Sequence, residues 1–134
     1  MRNYMPRYAK YGIPPARYNE LRAFCLQYPL WRAEARSLLG VGGQKLSAMP
    51  HGSGVGDPVA RAAERREKLL SKVELVENVA RSVEGGRWYA ALIQNCCMGR
   101  GLHHIDPAIL PTSNRNAFYL ARRLFYLALD EVKS

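Results

Sequence analysis

The stretch LPTSNRNAFYLARRLFYLALDEV, residues 110–132, decides how this chain is read. On a helix of about 3.6 residues per turn, Ala117, Ala121, Leu124, Phe125, Ala128 and Val132 fall together, with Phe118 and Leu120 beside them. That stripe predicts the face turned to a core. Arg115, Tyr119, Arg122 and Tyr126 recur by four, three and four along the other side, Arg123 sits next to them, and no acid stands between Asp106 and Asp130. The expected outward face is basic and aromatic.

Pro111 stops whatever precedes this helix, and Thr112 or Ser113 can accept the first free amide hydrogens as its cap. Just upstream, in GRGLHHIDPAIL (99–110), Asp106 can cap a short turn opening at Pro107, with Ile109 and Leu110 turned inward. A short turn followed by a long basic helix is the order of a helix-turn-helix unit. A helix about 10 to 12 Å across fits the major groove of B-DNA, where Arg bonds bidentately to guanine and Asn to adenine. Ser113, Asn114, Arg115 and Asn116 at its N-terminal tip carry those chemistries, with Tyr119, Arg122 and Arg123 on the flank.

Toward the N-terminus, PPARYNELRAFCLQYP (14–29) predicts a helix with proline in its first turn and Leu21, Phe24, Cys25 and Tyr28 at helical spacing. Pro29 ends it and opens a second helix, PLWRAEARSLLG, which Gly40 closes. Residues 13–40 are expected to form an N-terminal helical pair. The glycines of 41–57 predict a linker. Asp57 as cap and Pro58 as first residue open a third helix to about Val83, with Leu69, Val73, Val76, Ala80 and Val83 inward. RWYAALIQNCCM (87–98) is apolar almost all round and predicts a helix at the centre of a core within a helical domain of residues 58–134. No alternating strand pattern occurs, so the expected fold is all-α: a small bundle of about five helices ending in a helix-turn-helix-like unit.

The charge is uneven. Twenty Lys and Arg stand against eleven Asp and Glu, a formal +9, and the excess falls at the two ends, which favours a polyanionic partner through counterion release. Residues 1–12 read as an arm outside the core, whose Arg2, Tyr4, Arg7, Tyr8 and Lys10 would add DNA contacts in a minor groove or against unstacked bases. No apolar run reaches the roughly 20 residues of a membrane span, and the first residues lack the apolar segment of a secretion signal. The expectation is a cytoplasmic protein with no membrane partner.

Other chemistries find little support. Cys25, Cys96 and Cys97 are odd in number and lack CxxC spacing, so buried, reduced thiols are expected. His103-His104 follows Cys96-Cys97 closely, but adjacent residues do not supply the spaced pairs of zinc modules. The glycine segment lacks the order of a nucleotide-binding loop. His51 and the carboxylates of the third helix offer no nucleophile with a positioned base, so neither an enzyme nor a cofactor is expected.

Three runs, YGIPPARYNELRAFCLQYPLWRAEARSLLG, GSGVGDPVARAAERREKLLSKVELVENVAR and NRNAFYLARRLFYLALD, together resemble small phage-encoded transcriptional regulators of the RinA/ArpU type. The resemblance implies a bacteriophage or prophage protein of a bacterial host cell. Its C-terminal helix-turn-helix would be similar to region 4 of sigma factors and act at phage late-gene promoters. It also implies that Asn114, Arg115, Asn116, Tyr119, Arg122 and Arg123 lie on the DNA-facing helix. The expected function is a transcriptional regulator that reads duplex DNA, with a homodimer compatible with a two-fold target. The rival is a phage protein whose basic face occupies a host nucleoprotein machine, as an anti-CRISPR inhibitor or an RNA polymerase-binding factor would.

Overall fold

A computed structural model describes residues 12–48 and 57–133. The expected arm contacts Arg2, Tyr4, Arg7, Tyr8 and Lys10 lie outside the described residues, as does the part of the glycine segment that holds His51. The fold is all-α, with no strand among the described residues. Its helices are α1 (Pro15–Cys25), α2 (Tyr28–Ala48), α3 (Pro58–Ser82), a short α4 (Tyr89–Leu92) and α5 (Arg115–Lys133). The chain groups into two compact units, one from the residues up to Gln27 with those from Val76 onward, the other over Tyr28–Leu75.

The boundaries follow from local chemistry. α1 opens with Pro14 in an extended conformation and Pro15 in the first turn. It ends at Cys25, four residues before Pro29, whose ring would collide with the Cys25 carbonyl if the helix ran on. α3 opens where Asp57 Oδ1 accepts the amide hydrogens of Val59 (3.0 Å) and Ala60 (3.4 Å).

Two expectations need correction here. α2 does not stop at Gly40: helical backbone continues through Gly42 and Gly43 to Ala48, so the expected linker starts later than residue 41. A glycine inside a helix costs only about 1 kcal/mol, too little by itself to end one. Nor do α1 and α2 form a pair of their own, because α1 groups with the last segments of the chain.

In the Tyr28–Leu75 unit, Trp31 and Ala35 of α2 are buried, as are Ala62, Leu69 and Val73 of α3. Arg65 donates to Glu34 at 2.6 Å, Arg66 donates to the Ala35 carbonyl at 3.2 Å, and the Lys72 ammonium stands 5.7 Å from the Trp31 ring. The cations thus cover the apolar seam with their stems.

In the other unit, α1 lies along α5, with Arg17 donating to Asp130 at 2.5 Å and Tyr18 edge-on to Tyr126 at 5.0 Å. Between α3 and α4 the chain turns through Glu84 (φ 46°), Gly85 (φ 70°) and Gly86 (φ 85°). Glu84 is the one described non-glycine residue in the left-handed region, and its carboxylate accepts the indole hydrogen of fully buried Trp88 at 2.9 Å. Past Leu92, α4 widens into a π turn over Ile93–Cys97, closed by the Met98 amide donating to the Ile93 carbonyl at 3.0 Å. Cys96 and Cys97 are both buried there.

The buried face of α5 is Phe118, Ala121, Phe125, Tyr126 and Leu129. Each large apolar side chain on it contributes on the order of 1.5 to 3 kcal/mol by leaving water. This face is rotated from the expected one: Leu124 and Val132, expected in the core, are 37% and 55% exposed, and Leu120 is 42% exposed. The large residues at 118, 125 and 129 set the phase, because a stripe carried by Ala117, Ala121 and Ala128 has less surface to bury.

Candidate nucleic-acid interface

Two short 3₁₀ turns, Leu102–His104 and Pro107–Ile109, precede α5. Asp106 accepts the Ala108 amide hydrogen at 2.9 Å, as expected of a cap. Ile105 is the residue of this segment that enters the core, whereas Ile109 and Leu110, expected to point inward, are half-buried. The cap of α5 is neither Thr112 nor Ser113. Asn114 Oδ1 accepts the amide hydrogens of Asn116 (2.9 Å) and Ala117 (3.4 Å), while Thr112 Oγ1 accepts that of Asn114 (3.1 Å). The Thr112 hydroxyl is thereby committed one step earlier, to shaping the turn that presents Asn114.

This scaffold leaves Ser113, Asn114, Arg115 and Asn116 exposed as four consecutive residues. Asn114 commits its oxygen to the cap, while Asn116, whose backbone amide that oxygen accepts, has an exposed side chain with both a donor and an acceptor end. Tyr119 and Arg123 are half-buried on the flank of the same helix.

The remaining expected face does not survive. Tyr126 is only 2% exposed and lies against Tyr18. Arg122 is half-buried; its guanidinium donates to Asn95 Oδ1 at 3.3 Å and stands 4.9 Å from the Tyr119 ring. Both turn inward because their wheel positions adjoin Phe118 and Phe125, the anchors of the buried face. The cationic surface of α5 is therefore narrower than expected and is concentrated at its tip.

Behind Tyr126 lie three free, buried thiols. A hydrogen bond with Cys97, together with burial, pushes the Cys25 thiol up. Burial pushes Cys96 up to about 12 against the opposing hydrogen bond from Tyr126, whose own phenol burial also raises. No group of three or more His, Cys, Asp or Glu among the described residues is placed to hold a metal ion. The rings of His103 and His104 stand 4.0 Å apart at the solvent edge.

Sequence reasoning missed a cavity of about 260 Å³ beside the tip, lined by Leu102, His103, Ile105, Pro107, Leu110 and Phe118 and by the run Thr112 to Arg115. The alternation of prolines with Leu102, Ile105 and Leu110 is its only sequence signal, and it reads equally as a plain connection. The chain matches no protein-family model, no curated protein and no solved structure. No helix among the described residues is long and apolar enough to cross a membrane.

Proposed function

We propose that this protein binds duplex DNA through the N-terminal tip of α5 and acts as a small regulator of transcription, in the manner of the phage regulators it resembles. The observation that carries the reading is the tip itself: Ser113, Asn114, Arg115 and Asn116 are exposed at the start of a helix that Phe118, Phe125 and Leu129 anchor in the core. Arg115 and Asn116 are the two residue types that bond bidentately to guanine and adenine. No carboxylate stands between Asp106 and Asp130 to neutralise them in sequence. Arg123, on the flank, is the phosphate contact of this arrangement, whereas Arg122 holds the helix in place.

The test is a duplex titration across salt concentrations, followed by selection of bound sites from random duplexes. Arg115→Ala is expected to lose preference at one base pair by about 1 to 3 kcal/mol. Arg123→Ala is expected to weaken all duplexes alike and reduce the salt slope by about one. Salt-independent binding, or equal loss on selected and random duplexes for both variants, overturns the reading.

A further inference from the structure

Where α1 packs against the π turn, three buried thiols come together, and two of them face each other. Cys25 is the last residue of α1, and Cys96 and Cys97 close the π turn. The seam is tight beside them: a methyl built on Gly99, two residues past Cys97, would meet Cδ2 of Leu26, the residue after Cys25, at 3.5 Å. Across this seam the Cys25 and Cys97 thiols share a hydrogen bond. Cys96 is turned elsewhere, to the Tyr126 hydroxyl and to Asn95 Oδ1, which lies 3.9 Å from its sulfur. Of the possible pairings among these cysteines, the packing thus favours one.

We propose that Cys25 and Cys97 are a peroxide-sensitive pair whose oxidation to a disulfide staples α1 to the π turn, whatever the tip of α5 binds. Thiols close enough to share a hydrogen bond need only a small side-chain shift to bond covalently, whereas a pair set further apart would require backbone movement. One sulfur, as its thiolate, attacks a peroxide oxygen and expels hydroxide, becoming a sulfenic acid; the other thiol then attacks that sulfur and expels its oxygen as water. The two sulfurs are oxidised together, and the peroxide is reduced to water. Neither sulfur reaches solvent, so the reaction runs through local opening of the seam and is slower in the folded chain than in the unfolded one. The bond closes a loop of about 70 residues, which removes much of the freedom of the unfolded chain. It also fixes the helix whose Arg17 and Tyr18 hold α5 through Asp130 and Tyr126.

The experiment treats the full, reduced chain with hydrogen peroxide, folded and in urea, and maps the linked peptides by mass spectrometry without reduction, using fragmentation to tell Cys96 from Cys97. The folded chain should give chiefly the Cys25–Cys97 link and leave Cys96 open to alkylation after denaturation, while the chain in urea gives mixed pairings. Cys96→Ala should keep the link and Cys97→Ala should abolish it; should the latter misfold, the map of the parent chain decides alone. The linked protein should melt about 10 °C above the reduced one and return on adding a reductant. The same mixture of pairings in both conditions, a link through Cys96 or between chains as the main folded product, thiols that stay free in the folded chain, or an unchanged melting temperature after linkage would each overturn the proposal.

Discussion

Replacing Arg122 by alanine separates a packing role from a DNA role. The guanidinium makes one part-buried hydrogen bond, to Asn95 Oδ1 at 3.3 Å, and two ring contacts, at 4.9 Å from Tyr119 and at 6.0 Å from Phe118, the nearer being the stronger. A net hydrogen bond contributes about 0.5 to 1.5 kcal/mol, and a partly exposed cation–ring contact about 0.5 to 1 kcal/mol. The hydrogen bond and the nearer ring contact together predict that Arg122→Ala destabilises the fold by roughly 1 to 2.5 kcal/mol. Urea unfolding followed by circular dichroism reads this as a lower midpoint at unchanged slope. A double-mutant cycle with Asn95→Ala should show the two losses to be less than additive, because each variant removes the same bond. Under conditions where the variant is fully folded, its affinity for duplex DNA should keep the salt dependence of the parent. An unchanged urea midpoint together with a shallower salt slope would refute the inward assignment and return Arg122 to the DNA-facing surface.

The remaining predictions concern the core beneath the tip. Cys25, Cys96 and Tyr126 all ionise later in the folded chain than in the unfolded one, so their contribution to stability is complete below about pH 8.5 and declines as pH rises through the unfolded thiol value toward about 12. Under reducing conditions the unfolding free energy should fall above that point by about 1.4 kcal/mol per pH unit for each of Cys25 and Cys96, and Cys96→Ala should make the decline shallower; equal stability near pH 7 and pH 10 would count against the burial of these two thiols. At the left-handed turn, Gly86→Ala places a methyl 3.2 Å from the Arg81 carbonyl oxygen at φ 85° and should cost about 1 to 2 kcal/mol in a thermal melt. Glu84→Gln, which keeps an acceptor for the Trp88 indole, should be tolerated better than Glu84→Ala, which leaves that buried hydrogen unpaired; equal melting temperatures for the two would remove the indole bond from the account.

What the chain reveals without coordinates is chiefly its punctuation. Pro29, Asp57-Pro58, Asp106-Pro107 and Pro111 act through their own missing hydrogens, fixed φ or short side-chain acceptors, so their effects need no distant partner. The inward positions of α3 are equally legible, because Leu69, Val73, Val76 and Ala80, with Val83 just past its end, follow a helix with a strongly charged opposite side. The phase of α5 was not. Two apolar stripes overlap on it, and the choice rests on where Tyr126 and Arg122 find partners: Tyr18 lies at the other end of the chain, and Asn95 lies 27 residues upstream. Tyrosine and arginine read as outward residues until something inside accepts their polar ends. The exposed tip could be read because capping confines Ser113 to Asn116 to a helix start; the cavity could not, since it is open space left between two 3₁₀ turns and the start of α5. Gly40, Gly42 and Gly43 show the opposite case, because a local preference near 1 kcal/mol per glycine does not by itself set a helix boundary.

The bond between Arg17 and Asp130 joins residues 113 positions apart. A ribosome extends a chain from its N-terminus at about 5 to 20 residues per second, so α1 emerges long before the helix it will lie against. Through that interval Leu21 and Cys25 have no α5 to meet, while the described residues of the Tyr28–Leu75 unit draw their grouping contacts from within that span. Maturation of the nascent polypeptide should therefore run from the middle outward, and the surface proposed to engage the genome would be the last part to become competent.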